Sequence, residues 1–261
     1  MKKWWGDINF EINEVKTWRI GSRKISVQRK YAEWLIWNEE TNDESFEQLV
    51  LEDAVSIDGF TDIQPKRYLV NKTQDALRVA PLLANRSIIV RPSSTLNILP
   101  GEKIELSVSS PLWLAFFNIG STLPISDLPF WLPSDSWFGP STMVGELCYS
   151  KYTDARVSLQ NIPKRSHRAI TTISILNEHD ELLTVDRINL PIPYLNLYAD
   201  ASEQFWTDKV CLTHHLDTAR PSFYIKSLTK ERDQSAITLV SHAREIADAH
   251  TFMRSIRSLV A

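Results

Sequence analysis

Glycine is scarce: seven residues in a chain of 261, where the usual frequency gives about 18. No two of them lie close enough to form a loop whose backbone N–H groups cradle a phosphate, so P-loop and Rossmann nucleotide folds are excluded. Cysteine is scarcer still. Cys148 and Cys211 cannot build a disulfide framework in a chain of this size and read as buried thiols in a reducing compartment, which places the protein in the cytoplasm. Long apolar runs are also missing. The longest, Leu112 to Phe117, is too short to span a bilayer, so no transmembrane segment is expected. Lys2 and Lys3 are followed by no apolar stretch, so export by a cleaved signal is not expected either. The net charge of −3 gives no general attraction to nucleic acid.

What is present is period-two alternation. Ile8, Phe10 and Ile12 alternate with polar neighbours, as do Ile25 and Val27, then Ile104, Leu106 and Val108, then Ala155, Val157 and Leu159. Half-buried strands read this way, one face to the core and one to water. Leu99-Pro100-Gly101-Glu102 marks a turn, Asn177 to Glu181 a short hairpin loop, and Pro191-Ile192-Pro193 a sheet edge or crossing. No βαβ rhythm appears. The chain therefore reads as mainly β, an antiparallel β-sandwich of one or two packed units, with a soft boundary near residue 85. Residues 1–85 form an N-terminal β region and 86–240 the main sandwich domain. Residues 241–261 read as an amphipathic helix, capped by Ser241, with Ile246, Ala249, Met253, Ile256 and Val260 on one stripe. Such a stripe packs on the chain's own core or docks a partner.

Charge is unevenly placed. Residues 1–30 carry eight Lys/Arg against three Asp/Glu, and residues 31–63 carry ten acidic residues and no basic one. The acidic block is a solvated face or a patch for a basic partner. The basic start could favour anionic lipid, and the acidic stretch argues against it.

Chemistry-bearing residues concentrate in Ser134-Asp135-Ser136-Trp137-Phe138-Gly139-Pro140, read as a loop, and in Gly145-Glu146-Leu147-Cys148-Tyr149. Asp135 and Glu146, on one cleft, could act as acid and base of a glycoside hydrolase, with Trp137, Tyr149 and Trp206 stacking on sugar rings. The plainer reading makes Asp135 a turn cap and Glu146 the partner of Arg156 or Arg168. Most of the nine tryptophans are core material. Cys211-Leu212-Thr213-His214-His215 lacks the second ligand pair that structural zinc requires, and His167 and His179 are remote in sequence, so no metal is expected. No Gly-x-Ser-x-Gly elbow exists, and no cofactor is implied.

Together with His167-Arg168-Ala169-Ile170-Thr171 and Trp206-Thr207-Asp208, these elements resemble the signature of DUF432, a family of archaeal and bacterial proteins without an assigned activity. The resemblance runs from about Ile88 to His214. It implies no catalytic residue. It does imply a protein partner, since some bacterial relatives are encoded near small-conductance mechanosensitive (MscS-type) channels. The expectation is a non-enzymatic interaction or regulatory protein whose surface includes Asp135, Trp137, Glu146, Tyr149, His167, Arg168 and Trp206. The alternatives are a carbohydrate or small-ligand binding module, and a hydrolase using Asp135 and Glu146.

Overall fold

A computed structural model describes residues 3–20, 23–40, 50–53, 63–92, 94–131, 133–141, 143–155, 165–215, 222–230 and 237–246. The chain forms two compact units, the first made of residues 1–82 and 112–131, the second of residues 83–111 and 132–261. The first unit takes β1 (Gly6–Asn9), β2 (Val15–Ile20), β3 (Arg23–Arg29), β4 (Glu33–Glu40), β5 (Val50–Asp53), β6 (Lys66–Leu69) and β7 (Ala76–Leu82). The second opens with β8 (Ile88–Pro92), β9 (Leu96–Ile98) and β10 (Lys103–Pro111). The chain then returns to the first for β11 (Trp113–Asn118) and β12 (Ser126–Pro129). The second unit resumes with β13 (Ser134–Ser141), β14 (Val144–Ala155), β15 (Arg168–Asn177), β16 (Leu183–Val185) and β17 (Ile188–Leu190). It ends with β18 (Leu197–Asp200), β19 (Phe205–Thr207), β20 (Lys209–His214), β21 (Ser222–Lys226) and β22 (Ile237–Ser241).

In the first unit, one antiparallel sheet runs β1-β7-β11-β12 and the other β5-β2-β3-β4-β6. Alternation aims their apolar faces at each other, and aromatic rings fill the gap. Trp18 on β2 meets Phe116 on β11 edge to face at 5.2 Å, and both are fully buried. The Trp18 indole N–H donates to the Trp4 carbonyl at 2.8 Å, so the buried polar atom is satisfied. Arg29, buried at the end of β3, donates to the carbonyls of Phe10 and Thr73 and to the Asp75 carboxylate, pinning the loops around it.

The same sheet explains the uneven charge. Basic β2 and β3 lie beside acidic β5 and β4, giving Arg19–Glu52 at 3.3 Å, Arg23–Glu40 at 3.9 Å and Lys24–Glu39 at 3.2 Å. The described parts of the two sequence blocks answer each other across strands, as cross-strand pairing favours.

The second unit departs from a purely antiparallel plan. A seven-stranded sheet follows the path β21-β20-β15-β19-β18-β22, with β10 on β15. Within it β15 pairs in parallel with both β19 and β20. A four-stranded sheet, β13-β14-β8-β17, holds a parallel β14–β8 ladder, and β9 pairs with β16. The Leu99–Glu102 turn forms as expected, closed by Glu102 N–H to the Leu99 carbonyl with Gly101 at φ 76°. Asn177–Glu181 is no hairpin, because β15 and β16 belong to different sheets. Ser134–Pro140 is strand rather than loop.

Among the described residues there is no α-helix, and no helix long and apolar enough to cross a membrane. Ser241 ends strand β22 instead of capping a helix, because Ile237–Ser241 is drawn into a ladder with β18. Residues 242–246 are irregular, and the remainder of the expected helix lies outside the described residues.

Candidate functional site

The β13–β14 hairpin carries most of the residues singled out in the sequence, and its register sorts them by face. Asp135 pairs with Tyr149, Trp137 with Leu147, and Phe138 with Glu146. Side chains directly opposite share a face and neighbours along a strand do not. Asp135, Trp137, Leu147 and Tyr149 therefore share one face, while Ser136, Phe138, Glu146 and Cys148 share the other. β13 is the edge of its sheet and its register shifts between Phe138 and Ser141, the two settings in which a strand tolerates a proline such as Pro140, and Gly139 takes φ 151° there.

The inner face is a small core. Phe138 and Cys148 pack with Ile89 and are almost wholly buried. Glu146 accepts a short hydrogen bond from the Asn189 side-chain amide, and the Cys148 sulfur lies 3.6 Å from its carboxylate. Burial, and then the nearby Glu146 charge, push the Cys148 thiol far above its ordinary range. Such a thiol is inert.

The outer face is open at Trp137 and Leu147 and closed at Tyr149, which is buried. Trp137 is 41% exposed and Leu147 46%. Beside them Arg86 donates to Asp135 at 2.9 Å, its guanidinium lies 5.3 Å from the Tyr149 ring centre, and the Tyr149 hydroxyl donates to Asn85 at 2.9 Å. The Trp137 indole rests on Gly145, where an added Cβ would meet its Nε1 at 2.7 Å and the Phe138 carbonyl oxygen at 2.7 Å. Arg86 was not among the expected residues. In sequence it stands in an Asn-Arg-Ser triplet, and nothing local places it beside a carboxylate 49 residues away.

Asp135 and Glu146 thus lie on opposite faces of one hairpin. They do not address a common substrate as an acid–base pair would.

Arg168 and Trp206 sit in the seven-stranded sheet with partners of their own. Arg168 donates to the Ser109 hydroxyl at 2.8 Å and, by a short bond, to the Ser109 carbonyl. Burial, aided by the Arg165 charge, lowers its pKa to about 10. His167 is half-buried on the turn leading into β15. Trp206 packs with Ile170, Tyr198, Leu228 and Ile237, and its N–H donates to Asp200 at 2.9 Å. Burial opposes the charge on Asp200, yet donors from Ser202, Trp206 and Gln204 outweigh it and hold the carboxyl below its usual value.

Asp208, next in the motif, is 1% exposed at a bulge. From Ile170↔Trp206 to Ile173↔Val210, β15 advances three residues and its neighbour four. Its carboxylate accepts from Asn196 N–H at 2.9 Å, the Asn196 side chain at 2.7 Å, the Tyr198 hydroxyl at 2.9 Å and Leu228 N–H at 3.1 Å. This is a structural anchor.

The fold also gathers histidines. His179 stacks on His214 with ring centres 4.9 Å apart, and His215 hydrogen-bonds Glu178 at 2.8 Å. Stacked rings hold their in-plane lone pairs in separate planes, a poor arrangement for one metal ion. Among the described residues no group of three or more His, Cys, Asp or Glu could hold one.

Residues 4–259 match the family described as "Protein of unknown function (DUF432)", so the chain belongs to that family over nearly its whole length. No curated protein and no solved structure matches it.

Proposed function

We propose that this DUF432 protein is a non-enzymatic interaction protein that docks a protein partner on the outer face of the β13–β14 hairpin. The observation that carries the reading is the exposed Trp137–Leu147 pair, bordered by the Arg86–Asp135 ion pair. A large indole ringed by polar groups is the composition of a binding hot spot. The separation of Asp135 from Glu146 weighs against hydrolysis. Both cysteines are buried free thiols, in keeping with a cytoplasmic setting. The partner we favour is a small-conductance mechanosensitive channel, the one implied by the family resemblance.

The test is affinity purification of the tagged protein from detergent-solubilised native cells. The intact protein should retain a membrane-protein partner, and Trp137→Ser should weaken that complex about thirtyfold, as loss of a hot spot does. Clean protein with no partner at any salt concentration would sink the proposal. Binding of soluble glycans, abolished by Trp137→Ser, would instead favour the carbohydrate reading, in which the indole stacks on a sugar.

A further inference from the structure

The loop from Asn177 to Glu181 joins the seven-stranded sheet to the β9–β16 pair, and one imidazole nitrogen in it has two incompatible partners. His179 Nδ1 lies 3.1 Å from the Glu181 backbone nitrogen and 2.9 Å from Asp180 Oδ1. Accepting the Glu181 N–H requires a lone pair on Nδ1. Bonding to the Asp180 carboxylate requires a proton there. One atom cannot do both at once.

We propose that this loop is a proton-operated switch: protonation of His179 at Nδ1 exchanges the Glu181 N–H for the Asp180 carboxylate and frees the Asp180–Glu181 peptide, while the Glu181 carbonyl stays held by Asn177.

The surroundings make the two states discrete. Asn177 is fully buried; its amide donates to the carbonyls of Ile98 and Glu181, and its oxygen accepts from His179 N–H and His214 Nδ1–H. That knot holds the loop at Asn177 and at the Glu181 carbonyl, so the change is confined to the Asp180–Glu181 peptide between them. Asp180 bonds to the His179 ring and His214 stacks on it; the other titratable and charged groups of the packed elements are Glu181 and the Glu178–His215 pair, and Glu102 and Lys103 on the neighbouring turn, where the Glu102 carbonyl accepts the Asn177 N–H. The pKa of His214, the stacked ring, is lowered first by burial and then by its neighbours His179 and His215. Of the two stacked rings, His179 is the one with a carboxylate beside its Nδ1.

Two measurements on the intact protein test this. In a histidine nitrogen-15 NMR titration run from about pH 8 to 5.5, His179 Nδ1 should change from unprotonated acceptor to protonated donor. Over the same range the Glu181 amide, corrected for intrinsic exchange, should lose about fivefold in hydrogen-exchange protection, the equivalent of one net hydrogen bond. His179→Phe keeps a stacking ring and should leave that amide weakly protected at both ends. Asp180→Asn should move the transition to lower pH. A Nδ1 that stays protonated throughout, or a Glu181 amide protected equally at both ends in the intact protein, overturns the switch even if the variants fail to fold.

Discussion

At the scale of single residues, the strongest constraint is Asp208. Four donors converge on a carboxylate with almost no solvent contact. Removing it leaves each donor with a desolvation penalty of about 1–3 kcal/mol, partly relieved by rearrangement. Asp208→Ala should therefore cost about 3–5 kcal/mol in urea unfolding. Asp208→Asn places an amide among donors and should also destabilise, by less. A cost near zero for Asp208→Ala would mean the network is not formed. His214 sets a pH dependence in the same unit. Its folded pKa is lowered, first by burial and then by His179 and His215, while the unfolded chain keeps the ordinary value near 6.5. The unfolded state then binds the proton more readily, so His214 contributes stability above about pH 6.5 that is lost as pH falls through its folded value. Thermal melts should show the midpoint dropping from pH 7.5 towards 5. The drop should be smaller in His214→Phe, which keeps the stack and cannot titrate.

At the scale of elements, the β13–β14 hairpin depends on Gly145. A methyl there meets a backbone carbonyl oxygen, which cannot swing aside, and the Trp137 indole, which can. Gly145→Ala should cost about 1–3 kcal/mol, the usual range for overpacking, and should displace Trp137. Tryptophan fluorescence and partner retention should then change together, and unchanged emission would show that the indole does not rest there. Much of the secondary structure was legible: alternation marked β3 and β10, and Leu99–Glu102 marked the turn between β9 and β10. Ser134–Pro140 was misread as loop because its Ser, Gly and Pro content signals turns, whereas an edge strand tolerates them. Ser241 was misread as a cap because 3–4 spacing beyond it outweighed the β-branched Ile237, Thr238 and Val240, which β18 recruits. The candidate site was half legible. The sequence offered Asp135, Trp137, Glu146 and Tyr149 as neighbours, but their division between two faces depends on register, set by a bulged turn that local composition does not specify. Arg86 and the His179–His214 stack rest on contacts between distant segments, for which one sequence carries no signal.

At the scale of the whole molecule, the first unit is built from two stretches of chain, 1–82 and 112–131. The chain leaves that unit after residue 82 and comes back at residue 112, and nothing in the composition of Leu112–Trp131 announces the return. The return matters energetically. β11 pairs with β7 along its length, and Trp113, Leu114 and Phe116 are buried there. Burial of each such side chain is worth about 1.5–3 kcal/mol, and Phe116 also closes the core against Trp18. A fragment ending at residue 85 would leave β7 with an open edge and Trp18 without its edge-to-face partner. A fragment beginning at 86 would carry β11 and β12 with their apolar surface uncovered, which favours association. Neither should give a dispersed amide NMR spectrum. Residues 1–82 joined by a short Gly/Ser linker to 112–131 should restore both sheets and unfold cooperatively, because the two sheets then hold every strand that their ladders require. A well-dispersed spectrum from residues 1–85 alone would show that the unit closes without β11, contrary to the β7–β11 ladder on which its core depends.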